Sequence, residues 1–340
     1  MNKHVHIVLL LMIALMAPGI LMSQDAGVVY LEGWPSLRSG GSSRELDFGL
    51  AVRPGDSVLT GRRDYVELDQ GGNTIRINAD TVFTLREIER GGRRETVMTN
   101  TVGSVAYRFQ TLAGRRQQVG TTTAVAGVRG TEFTVYAGSD GTSLFGVDSG
   151  LISVESEGIS VNVSAGEAVQ VPPGEAPGEV VRWIGPELDF QSWNQARIEE
   201  FLQKPIESTR RLQRRMQEFI ANGEAMYELY LESRAELDAI REQEREVRDR
   251  DGADARAAFF QEFVVPVQRR TLVHVLNYRY YDVSALSLRR FVYSRIYVSM
   301  KARYWREPNH PVYREFVALY HEMLEEYENG IAWRLDREDI

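Results

Sequence analysis

From Gly27 to about Val171, apolar and polar positions alternate along the chain. Val66/Leu68, Ile75/Ile77, Phe133/Val135, Ile152/Val154, Ile159/Val161/Val163 and Val169/Val171 each step by two, the period of a strand that buries one face. Turn residues separate these runs: Asp69-Gln70-Gly71-Gly72, Gly91-Gly92, Ser139-Asp140-Gly141, Asp148-Ser149-Gly150 and Glu157-Gly158. Gly and Asp tolerate the positive φ that tight hairpins require. Many short strands at close spacing predict an all-β unit, either a sandwich or a stacked-hairpin solenoid. Tyr65–Gly71 echoes Leu144–Gly150, and Arg53–Val58 echoes Ser164–Val169. A repeated β-unit would produce this echo, and so would shared turn chemistry.

Beyond Ser192 the period becomes helical. Ile198, Leu202, Ile206, Leu212, Met216, Phe219 and Ile220 form one stripe, and Met226, Tyr227, Tyr230, Leu237 and Ile240 form another after Asn222-Gly223. Leu288, Val292, Ile296, Met300 and Tyr304 step by four, and Phe316, Leu319, Tyr320, Met323, Leu324 and Tyr327 make a last stripe. Pro205, Pro266, Pro308 and Pro311 predict kinks or breaks. The pattern predicts four or five helices in a bundle or in long hairpins. The charged run Arg241–Glu246 predicts a solvated helix tip. Pro172–Gly178 has no period and reads as a linker. The expected organisation is a signal peptide at 1–23, a β domain at 27–172, a linker at 173–190 and an all-α domain at 191–340.

The signal reading rests on Met1-Asn2-Lys3-His4, an apolar run to about Met22 and small Ser23. The run is short for a spanning helix, and Pro18-Gly19 interrupts it. Cleavage near Ser23 or Gln24 is expected. A membrane contact would then come only from an uncleaved signal. The expected compartment is periplasmic or otherwise extracytoplasmic. The chain is 43% apolar and 26% charged, with a net charge of -8. That balance suits two globular domains and argues against a nucleic-acid binder. Cysteine is absent, which excludes disulfides, thiolate nucleophiles and a lipid-bearing N-terminal Cys.

Three elements in the β half resemble the FecR domain, a bacterial periplasmic module. They are Gly55-Asp56-Ser57-Val58-Leu59-Thr60, then Val125-Ala126-Gly127-Val128-Arg129-Gly130-Thr131-Glu132-Phe133, then Ala165-Gly166-Glu167-Ala168-Val169-Gln170-Val171. The resemblance covers roughly Gly27 to Pro172. Known members with this domain are transmembrane regulators that control an extracytoplasmic sigma factor through a cytoplasmic segment. Only a few residues precede the apolar run here, so direct contact with a sigma factor is not expected.

The motif residues also read physically. Pro54-Gly55 suits a type II turn. Gly127 and Gly130 flank Val128-Arg129, so the backbone there is free to bulge. Arg129 is expected to turn inward and pair with Asp56 or Glu167. Gly55, Asp56, Gly127, Arg129, Gly130, Thr131, Phe133, Gly166 and Glu167 are therefore expected to maintain the fold.

The β half has no His, Cys or Lys, so a nucleophilic Ser would lack its usual base. His321 and Glu325 lie four apart without a second His at zinc-protease spacing. No phosphate loop is present in the sequence. No enzyme activity, cofactor or metal is expected. Aromatics and Arg interleave from Tyr278 to Arg306, so Tyr278, Tyr280, Tyr281, Tyr304 and Trp305 are candidates for a partner surface. The expected function is an exported envelope protein with a FecR-like binding or sensing domain and a helical interaction domain. Its expected partner is an envelope protein or polysaccharide. The alternatives are a cell-wall or polysaccharide-binding scaffold and a carbohydrate-active enzyme using paired carboxylates.

Overall fold

The computed structural model describes residues 25–90, 93–110, 117–185 and 188–335. The signal segment and the Gly91-Gly92 turn lie outside the described residues. The β half consists of two facing sheets, between which successive hairpins alternate, with one apolar core between them. Sheet A runs β4 (Ala51–Val52), β1 (Ala26–Glu32), β6 (Tyr65–Gln70), β7 (Asn73–Ile77), β9 (Arg93–Arg108), β12 (Glu132–Ala137), β13 (Ser143–Ser149), β16 (Glu167–Val171) and β17 (Val180–Arg182). Sheet B runs β3 (Ser42–Glu45), β2 (Ser36–Ser39), β5 (Ser57–Leu59), β8 (Val82–Arg90), β9, β10 (Gln117–Gly120), β11 (Val125–Val128), β14 (Leu151–Ser156) and β15 (Ile159–Ser164).

Strand β9 belongs to both sheets. Its first part pairs with β8 and its last with β12. The change of sheet falls at Gly103, whose φ is 103°. A Cβ there would lie 2.2 Å from Thr81 Oγ1, so this corner needs glycine. Between the sheets, alternate residues of each strand form one apolar core, including Val66, Leu68, Ile75, Ile77, Phe133 and Val135. At its centre Phe133 stacks on Tyr107 with ring centroids 5.0 Å apart.

The segment after Pro172 is bonded to the sandwich. Ser156 Oγ donates to Glu175 O at 2.8 Å, Gly178 N donates to Gln170 O at 2.9 Å, and β17 extends sheet A by pairing with β16. Proline and glycine removed the periodic signal here, but the segment still has a sheet edge to pair with.

The helical elements are α1 (Phe190–Gln203), α2 (Pro205–Asp251), α3 (Ala253–Phe259), α4 (Val265–Ser287), α5 (Ser294–Arg303), α6 (Pro311–Tyr327) and α7 (Trp333–Leu335). π-Helical segments Phe260–Val264, Leu288–Tyr293 and Glu328–Ala332 join α3 to α4, α4 to α5 and α6 to α7 without a break. Pro205 and Pro311 stand at helix starts, as expected. Pro266 does not break its helix. It follows a π segment, whose wider turn absorbs the missing N–H. Among the described residues no helix is long and apolar enough to cross a membrane.

Helix α2 has 47 residues and is about 70 Å long at 1.5 Å per residue. Gly252, at φ 88°, reverses the chain so that α3 and α4 return along it. The charged run lies near this tip, but Glu244 is buried and receives Arg256 Nε at 2.8 Å. The two stripes that Asn222-Gly223 separates in the sequence lie on one helix, because α2 runs straight through. Gly223 is glycine for a packing reason. Asp282 and Arg334 form a buried ion pair beside it, at 2.6 Å and 2.9 Å. A Cβ at 223 would sit 2.8 Å from Asp282 Oδ1 and 2.9 Å from Arg334 Nη2.

A Gly→Ala change inside a helix ordinarily stabilises by roughly 1 kcal/mol. Here Gly223→Ala is expected to destabilise by about 1–3 kcal/mol, because the pair has no room to move. Urea unfolding measures this. A raised midpoint would show that the crowding is relieved at no cost.

Candidate functional site

The two halves meet in three places, and the contact on the outer face of sheet B is built around one arginine. On β8, Phe83 and Leu85 point into the sandwich core. Thr84 and Arg86 therefore point outward, yet both are buried. Helix α4 and the π segment after it lie on this face. Arg86 Nη1 donates to Ser284 Oγ, and Nη2 donates to Ser287 Oγ at 2.9 Å and to Val283 O at 3.3 Å. Ser284 Oγ donates its own proton to Tyr280 O at 2.6 Å, and Ser287 Oγ donates to Val283 O at 2.7 Å. Each hydroxyl thus bonds backward along its helix and turns a lone pair toward the guanidinium. The Tyr280 ring faces the same group, 5.7 Å from Cζ. Burial pulls the Arg86 pKa down to about 10, so the group is still charged at neutral pH.

A second contact seats the tip of the β12–β13 hairpin among the helices. Ser139 N donates to Asn194 Oδ1 at 2.7 Å, and Arg295 Nη1 donates to Ser139 Oγ at 3.0 Å. Asp140 folds back to accept Thr142 N at 3.0 Å and Thr142 Oγ1 at 2.7 Å. Burial raises its pKa despite these bonds. Gly141 has φ 89°, and a Cβ there would meet Leu212 Cδ2 at 3.0 Å. Beside the tip, Arg215 Nε donates to Thr122 O at 2.9 Å.

The third contact is apolar. Tyr136, Leu144 and Ala168 on the outer face of sheet A pack with Trp183, Leu188, Phe190 and Trp193, which lead into and begin α1. Trp183 lies flat on Gly146, where a Cβ would come within 2.4 Å of the indole. Its Nε1 donates to Asp148 Oδ1 at 2.8 Å.

The motif residues hold turns and core. Gly55 has φ 99°, and Asp56 N donates to Arg53 O at 2.9 Å, the type II turn that Pro54-Gly55 suggests. Asp56 Oδ2 accepts Arg53 N at 2.9 Å. Glu167 Oε2 repeats this by accepting Ser164 N at 2.8 Å, next to Gly166 at φ 82°. The echoing segments 53–58 and 164–169 thus share one turn chemistry, leading into β5 of sheet B and β16 of sheet A. Gly130 has φ 60°, Thr131 Oγ1 donates to Leu151 O at 3.2 Å, and the strand shifts register at Glu132/Phe133. Gly127 makes no bulge and sits in register between β10 and β14.

The inward ion pair expected for Arg129 does not form. Arg129 is exposed, and backbone N–H groups satisfy both carboxylates assigned to it. The expected aromatic surface is not continuous either. Tyr278 is buried against Tyr227 and Tyr230, and Tyr281 and Tyr304 pack on the helical core. Tyr280 does meet a partner surface, but it is Arg86 of the same chain. Trp305 alone of the five is strongly exposed, at 68%. Among the described residues no group of three or more His, Asp or Glu is placed to hold a metal ion.

Sequence reasoning missed Arg86, Ser284, Ser287, Ser139, Asn194, Arg215 and Arg295. The signal available was weak: hydroxyls at 284 and 287, beside core residues Ala285 and Leu288, on a helix with no other reason to bury them.

Arg86→Ala is expected to cost roughly 3 kcal/mol or more, since charge-assisted bonds contribute about 1.5–3 kcal/mol each and the serines lose a partner. Arg86→Lys should recover little of this, because an ammonium cannot reach the serines as a planar fork. Denaturant unfolding of both variants tests the point. Wild-type stability in the lysine variant would mean that charge alone matters.

Residues 56–168 match the family model described as FecR protein. No curated protein matches the chain. Two crystal structures of a candidate anti-sigma factor from Parabacteroides distasonis ATCC 8503 are similar to it at 18% identity, with a TM-score of 0.31. The likeness covers 37% of this chain and 58% of theirs. Strands β1–β4 and β17 lie outside the family match but are hydrogen-bonded into the same two sheets. The sandwich of this chain contains a FecR domain, at residues 56–168.

Proposed function

We propose that this protein is a non-enzymatic sensing component of the cell envelope, working outside the cytoplasm. In this reading the FecR domain receives a partner and the helical half responds to it or displays it. The observation that supports the reading is the joining of the FecR domain to the helices through Arg86. The domain's strand β8 is buried on one face by the sandwich and on the other by α4. An event that strains the sandwich would therefore be felt directly by a helix about 35 Å long. Beyond Tyr230, α2 and its returning partner meet through the small cluster of Leu237, Val264 and Val267. This hairpin suits contact with another protein better than it suits chemistry.

The test is affinity capture with the full chain from crosslinked envelope extract, paired with an assay for sugar release from purified cell wall. Specific recovery of an outer-membrane transporter or a sigma regulator, with no sugar release, is the expected result. Recovery of wall material without turnover would replace sensing with a scaffold role. Sugar release lost on substitution of a carboxylate would overturn the non-enzymatic reading.

A further inference from the structure

The outer face of sheet B is covered by helices, but it is not built like a core. Thr84 pairs across β8 and β9 with Thr99 and bonds Ser57 Oγ at 2.9 Å. Arg86 pairs with Val97. Val82, Val97 and Ile88 add apolar area, so the face is mixed. Two of its polar atoms, Arg86 Nε and Thr99 Oγ1, and Thr122 Oγ1 in the turn between β10 and β11, are buried without a hydrogen-bond partner among the described residues. Each would gain water if the helices lifted, so each weakens the closed state. The bonds that oppose lifting run from Arg86, Arg215 and Arg295 to neutral hydroxyls and carbonyls, together with one ion pair from Arg211 on α2 to Glu175 at 2.7 Å.

Lifting would leave the sandwich core whole and would part the helical core only where the end of α1 contributes Phe201 and Leu202. The large sandwich cluster contains only residues from 26 to 171, and the large helical cluster only residues from 201 to 331. The apolar joint at Tyr136, Trp183, Phe190 and Trp193 sits instead on sheet A, where it holds the start of α1. Between α1 and α2 the chain leaves helical geometry at Lys204, at φ -134° and ψ 55°.

We infer that the helices from α2 onward form a reversible cover over sheet B, carried on the aromatic joint at α1 and latched by Arg86 on Ser284 and Ser287. Largely separate cores and a mixed, incompletely bonded interface are the properties of domains that part and close again. The opened protein presents a face that tolerates water, with Thr84, Arg86 and Thr99 free to bond. This inference concerns the fold alone and stands whether or not the sensing reading holds.

The chain has no cysteine, so single thiols report cleanly. Thr99→Cys and Thr122→Cys each replace a hydroxyl that bonds to nothing in the closed state. Val135→Cys, in the sandwich core, reports global unfolding. Labelling of the full chain with an aromatic disulfide reagent under native conditions is the measurement. The interface thiols are expected to react at least about tenfold faster than the core thiol, with a shallower dependence on urea. Adding Ser287→Ala should raise the interface rate by about tenfold or more, as one charge-assisted bond is lost, and leave the core rate less affected.

Equal rates and equal urea slopes at all three positions would overturn the inference, because the cover would then open only with the whole protein. An interface rate unchanged by Ser287→Ala would overturn the latch. Two interface positions are used so that a folding defect in one still leaves a readout in the other.

Discussion

A positive charge sealed between two domains constrains everything around it. Arg86 has left water without meeting a carboxylate, and neutral acceptors must replace its hydration. The acceptors come from a single turn of α4, so the helix has little freedom to slide or roll over the sheet. The π segment that begins at Leu288 follows at once. Ser284 and Ser287 face the sheet, while Ala285, Leu288 and Val292 face the helical core. One stretch of helix thereby serves two layers, and the direction of the long hairpin is set by the bonds of one strand residue.

The FecR elements have a different job. Their glycines and acids stand in turns and in the sandwich core. Asp56 and Glu167 look like candidates for ion pairing, yet each closes the turn that precedes it by taking a backbone N–H three residues back. A carboxylate used in this way is satisfied at short range and asks nothing of Arg129. The motif therefore reports architecture. It identifies which sheets will form and leaves open what they bind.

The class of each half was legible because burial on one face leaves a period. Strands with Phe133/Val135 or Ile75/Ile77 alternate cleanly, and α6 carries its stripe openly. What escaped reading was every place where two layers meet. Strand β8 is covered on both faces, so Thr84 and Arg86 look like exposed residues while being buried. Gly223 stands out only as a poor helix former between two stripes, whereas its cause is an ion pair formed by residues 59 and 111 positions away. Pro266 reads as a kink because a straight α-helix has no place for it, and a π turn supplies one. The segment after Pro172 lost its period to proline and glycine but kept a neighbour to pair with. In each case the missing information was the partner, which lies far along the chain.

These features bear on how a signal would pass between the halves. If one continuous apolar core joined them, separation would expose hydrophobic area at about 25 cal/mol for each Å², and the two would move as one body. Polar contacts scale differently. Each bond to Arg86 is exchanged for a bond to water when the halves part, so the net difference is small even though each bond is strong. A conformational balance within a few kcal/mol is the condition under which a partner's binding energy can shift a population. The buried arginine meets that condition by being specific in direction and modest in net strength. The aromatic joint on sheet A supplies the complementary property, an apolar attachment that does not need to break.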